Sequence, residues 1–89
     1  MTSTAELLSQ GWQLHLAGQL KTAEQRYRQA LQLAPTDPNA WCYLGMACHD
    51  QDRLDEAVAA YRKAIRLQPD FPIALNNLGN SLRLQRKID

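Results

Sequence analysis

The side chains whose type and spacing could carry chemistry are Cys42, Cys48, His15, His49 and Asp50. The two cysteines stand six apart. That is neither the CxxC spacing of a redox site nor a paired zinc-ligand pattern. Both sit among apolar residues, where a free Cys behaves as a small hydrophobe. Two such thiols point to a reducing compartment, so a cytoplasmic location is expected. A Cys42–His49 nucleophile pair would need a third group to orient the imidazole and a site to stabilise an oxyanion. Neither is evident, and there is no glycine-rich phosphate loop. His15 and His49 could be joined by Asp50 or Cys42 around a metal ion. Two histidines without a close third ligand at helical spacing do not make a zinc set. The residues therefore predict no catalytic residue, no cofactor and no metal site; the chain reads as a non-enzyme.

Charge and hydropathy narrow the classes further. The chain has 89 residues and a formal charge of +1, without the basic footprint of a nucleic-acid binder. Its nearest approach to a basic cluster is Arg83, Arg86 and Lys87 near the end, which reads as solvated surface. The opening MTSTAELLSQGW lacks a basic region followed by an apolar core, so no secretory signal is expected. No stretch approaches the roughly 18 apolar residues that suggest a membrane span.

The elements that would position these residues follow from an internal repeat. Shifted by 34 residues, the chain aligns with itself without a gap. Leu7, Trp41 and Leu75 coincide, as do Gly11, Gly45 and Gly79, then Leu14, Cys48 and Leu82, then Leu20, Leu54 and Ile88. Ala23 meets Ala57, Tyr27 meets Tyr61, Ala30 meets Ala64, and Pro35 meets Pro69. Residues 1–89 form one domain on this reading: repeat 1 over 4–37, repeat 2 over 38–71, and half of a third over 72–89. Within repeat 2, Trp41, Leu44, Gly45 and Cys48 recur at three- and four-residue steps, and Leu54, Ala57, Tyr61, Ala64 and Ile65 do so again. The short polar stretch between them makes the two helices antiparallel neighbours. Pro38 and Pro72 suit a first helical turn, Asp37 can cap one, and Pro35 and Pro69 end the preceding helices. The pattern predicts five helices, near 4–17, 20–34, 38–51, 54–68 and 72–86, and no strand.

A glycine inside a helix costs about 1 kcal/mol against alanine, so three at one phase need a packing reason. The simplest expectation is close approach of two helix backbones. Ala23, Ala57, Ala30 and Ala64 would serve the facing helix, and Tyr27 and Tyr61 would fill the space between neighbouring pairs.

These residues carry a resemblance. WCYLGMACHDQDRLDEAVAAYRKAIRLQPD resembles the tetratricopeptide repeat closely, with its W-x-x-L-G box, its Ala-x-x-x-Tyr step and its late Pro. LLSQGWQLHLAGQLKTAEQRYRQALQLAP is a looser copy, with Gln10 where the family has Leu, and ALNNLGNSLRLQRKID resembles the first half of another. The ALNNLGN segment also looks like repeats that precede O-linked N-acetylglucosamine transferase-like catalytic domains. The resemblance implies an all-α solenoid of antiparallel helix pairs, a right-handed stack whose first helices line a concave side that holds a peptide. The lining would be Leu8, Ser9, Trp12, His15 and Leu16, then Asn39, Cys42, Tyr43, Met46, His49 and Asp50, then Ile73, Asn76, Asn77, Asn80 and Arg83. Family members that grip chaperone C-termini place a Lys early in the first lining helix; here that place is Leu8, and its repeat-mate is Cys42. Trp12 would be either a partner hot spot or packed against the N-terminal residues. The implied function is a scaffold that binds a protein or peptide, with no nucleic acid and no membrane. The alternative is the non-catalytic, substrate-selecting part of a larger enzyme such as a glycosyltransferase. With the second half of repeat 3 expected elsewhere in the natural protein, Leu75, Leu78 and Leu82 would lack their covering helix, and Gly79 would leave a notch. A homodimer through the C-terminal helix would cover them.

Overall fold

Ser3 accepts a hydrogen bond from the Glu6 backbone N–H at 3.1 Å, and its hydroxyl donates to the Glu6 carboxylate at 3.2 Å. Together they cap the first helix, α1 (Thr4–Leu16). Four more follow: α2 (Leu20–Leu33), α3 (Pro38–Asp50), α4 (Leu54–Leu67) and α5 (Pro72–Ile88). The computed structural model describes the backbone of residues 2–88 and the side chains of residues 2–87. Met1 and Asp89, the outer bounds of the expected domain, and the side chain of Ile88, the repeat-mate of Leu20 and Leu54, lie outside the described residues. Among the described residues all regular structure is helical, in the positions the repeat predicts. The end of α5 runs two residues further than expected.

The boundaries repeat because the residues do. Asp37 accepts from the Asn39 N–H at 2.9 Å and caps α3, whose first residue is Pro38. Gly18 and Asp52 are repeat-mates, and both adopt left-handed φ, 81° and 62°. There the chain leaves one helix and turns into its antiparallel partner, with Gln19 N–H donating to Leu14 C=O and Arg53 N–H to Cys48 C=O. Glycine takes this conformation freely; aspartate does so with strain, more readily than most residues.

Packing is sequential. The hairpins α1–α2 and α3–α4 make the heaviest contacts, α2–α3 and α4–α5 join neighbouring repeats, and α1, α3 and α5 touch more lightly side by side. The result measures 43 × 28 × 17 Å. Ala23, Tyr27, Leu44, Ala47, Cys48, Ala57, Ala60, Tyr61, Ala64 and Ala74 form the main core, and Leu7, Ala30 and Ala40 a smaller one. The glycine expectation needs correction. The atoms nearest a Cβ on Gly11 or Gly45 belong to a tyrosine ring: 2.7 Å from Tyr27 Cδ1, and 2.6 Å from Tyr61 Cε1. The close approach is ring on helix within a hairpin, which is why Gly and Tyr recur together. Among the described residues nothing lies within 4 Å of a Cβ on Gly79, so the expected notch is open.

Candidate functional site

The side-by-side arrangement of α1, α3 and α5 places three neighbouring cavities on one face. The first, about 300 Å³, is walled by Trp12, Asn39, Cys42, Tyr43, Met46, Phe71 and Ile73. The second, about 200 Å³, has Met46, His49, Asp50, Tyr61, Asn77 and Asn80. The third, about 520 Å³, has His49, Asn80, Arg83, Leu84 and Lys87. Met46 is shared by the first two, and His49 and Asn80 by the last two. Through these shared residues they adjoin in a row along the α3–α5 seam, called the groove below.

An aromatic cluster supports the first cavity. Tyr27 and Tyr43 stack with centroids 5.3 Å apart, and Trp12 tilts against Tyr43 at 5.7 Å and against His15 at 5.3 Å. Trp12 is thus held by α3 and by its own helix, half-buried. Burial pushes the Tyr27 and Tyr61 hydroxyls well above the ordinary tyrosine range, so both stay neutral.

Both histidines are tied into the helix stack. His15, with 8% of its side chain exposed, lies 2.6 Å from Asp50 through Nε2 and 3.3 Å from the Tyr27 hydroxyl through Nδ1. A carboxylate only accepts, so Nε2–H donates to Asp50, and in the neutral ring Nδ1 accepts from Tyr27. His49 Nδ1 pairs at 2.8 Å with the buried hydroxyl of Ser81. Each imidazole links one first helix to the next, His15 from α1 to α3 and His49 from α3 to α5.

The cysteines are free and buried. Burial raises the Cys42 thiol to about 11 and also lifts that of Cys48. A thiol so shifted is a poor nucleophile and a poor ligand. Among the described residues, Glu24, Cys48 and Glu56 are close enough together to hold an ion. Their chemistry points to an ion-pair network. Arg53 meets Glu24 at 2.7 Å and Glu56 at 2.6 Å, and Arg28 meets Glu24 at 2.7 Å. The Arg53 guanidinium, against the penalty of burial, holds the Glu24 carboxyl down at about 2.

Of the residues expected on this face, Trp12, Asn39, Tyr43, Met46, His49, Asn77, Asn80 and Arg83 line the groove, and His15 braces it through Asp50. Leu8 does not stand free; it is half-buried and packs on both core clusters. Asn76 is exposed outside the cavity walls. Tyr61, Phe71, Leu84 and Lys87 were not foreseen. Lys87 follows Arg83 by four residues, one helical step along the same face, and that spacing was the available signal.

A family model described as TPR repeat matches residues 11–52 and again 45–85. The chain belongs to the tetratricopeptide (TPR) repeat family. Among solved structures, that of MamA matches with a TM-score of 0.89 at 23% identity, over 94% of this chain. The present TPR chain spans 49% of that protein, and the likeness at this identity is one of fold. No curated protein matches it in sequence. TPR domains are generally protein-interaction modules and non-catalytic, and no enzyme family is matched. Among the described residues, no helix is long and apolar enough to cross a membrane.

Proposed function

We propose that the face shared by α1, α3 and α5 is a docking groove for a segment of another protein. The observation that carries this reading is the row of three adjoining cavities, floored at one end by half-exposed Trp12, Tyr43 and Met46. Aromatic residues and Met are enriched where proteins bind proteins, and a few such anchors supply most of the affinity. Asn39, Asn77 and Asn80 offer both donors and acceptors to a peptide backbone. A peptide selected from a random library against this chain tests the reading. Trp12→Ala and Tyr43→Ala should each weaken it about tenfold or more, with the helical circular dichroism retained. Affinity unchanged by both substitutions contradicts the assignment.

A further inference from the structure

The groove changes chemistry along its length. At the N-terminal ends of α3 and α5 its walls are Trp12, Tyr43, Phe71 and Ile73. In the middle they are His49, Asp50, Asn77 and Asn80. At the far end they include Arg83 and Lys87, both exposed. Among the described residues, the hydrogen bond of the Arg83 guanidinium goes to the neutral Asn80 amide, and neither Arg83 nor Lys87 sits in an ion pair. The carboxylate facing the middle, Asp50, is held by His15. An anionic group would meet repulsion there and attraction at the far end.

Resting on the reading of this groove as a peptide site, we infer that its ligand is an extended segment with two anchors. One is a bulky apolar side chain in the Trp12–Tyr43–Ile73 cavity; the other is an acidic group paired with Arg83 and Lys87. The separation follows from the helix. Ile73 and Arg83 lie ten residues apart on α5, about 15 Å at the α-helical rise. An extended peptide advances about 3.3 Å per residue, so the anchors stand about four to five residues apart. Helix-terminal lysine and arginine also complement the helix dipole, a role that predicts no preference for an acidic ligand.

A random peptide library panned against the intact chain decides. The expected result is enrichment of sequences pairing a large apolar residue with Asp or Glu four to five positions away. Replacing that acid by its amide should weaken binding about two- to fivefold, the worth of one exposed ion pair. Panning against Arg83→Glu/Lys87→Glu, which alters only exposed positions, should keep the apolar residue and exchange the acid for Lys or Arg. Apolar enrichment with no acidic preference, indifferent to the charge reversal, overturns the two-anchor inference and leaves the groove reading standing. Peptides insensitive to both Trp12→Ala and the charge reversal, or no enrichment at all, count against both. A second copy seated in the groove, seen as an oligomer that Trp12→Ala breaks, also overturns the inference.

Discussion

Gly45 and Gly79 occupy the same phase of the repeat in different surroundings. Alanine in place of a helical glycine gains about 1 kcal/mol from propensity. At Gly45 the added methyl runs into the buried ring of Tyr61, and overpacking costs about 1–3 kcal/mol. Gly45→Ala should therefore destabilise the chain by up to about 2 kcal/mol, and Gly79→Ala, facing open space, should stabilise it by up to about 1 kcal/mol. Urea unfolding of both variants reads the opposite signs. Glu24 is the second residue whose setting decides its effect. Its carboxyl is held at about 2 against an ordinary 4.5, so its contribution is complete above pH 4.5 and disappears as pH falls towards 2. That shift corresponds to at most about 3 kcal/mol, less because Arg28 is half exposed. Glu24→Gln should remove most of this pH dependence, measured by thermal unfolding between pH 5 and 2. The glycine phase was legible in sequence, but periodicity gives spacing and not which atom fills the gap. Glu24 was not legible: Arg53 is 29 residues away, and Val58, its repeat-mate, carries no matching charge.

At the scale of the helix, α5 differs from α1 and α3. Leu75 is 48% exposed, whereas its repeat-mate Leu7, covered by α2, is 6% exposed. Leu82 is half-buried, whereas its repeat-mate Cys48 is 1% exposed. Leu78 contributes less to this open side than the repeat suggested, because it is half-buried against the core. Ile73 and Leu84, at 60% and 38%, are exposed on the groove side instead. Burying a leucine fully is worth about 1.5–3 kcal/mol, so association of the Leu75–Gly79–Leu82 side with a second copy at high concentration is the expected outcome. Sedimentation equilibrium should show mass rising with concentration for this chain and a constant monomer for Leu75→Glu/Leu82→Glu. A monomer at millimolar concentration without substitution contradicts this. The boundaries of the helices were readable because proline, capping aspartate and the polar turn recur each 34 residues. The depth of Leu78 was not, because it depends on how α5 rotates against α4.

For the whole molecule, the question is which face meets a partner. The stack has two broad sides: one where α1, α3 and α5 run side by side, and one where α2 and α4 expose Gln25, Arg62 and Arg66. The repeat pattern and family resemblance together marked the first side. The adjoining of its cavities and their run from apolar to cationic emerge only when residues 12, 43, 71 and 73 meet at one end and residues 49, 80, 83 and 87 at the other. The proposed docking side is the one where apolar and polar side chains from three helices converge on adjoining cavities. Chemical-shift mapping on the labelled chain with a library-selected peptide tests this most directly. The account predicts that the amides of Trp12, Tyr43, Met46, Asn77 and Asn80 move while those of Gln25, Arg62 and Arg66 stay. Shifts confined to Gln25, Arg62, Arg66 and their neighbours on α2 and α4 would contradict it.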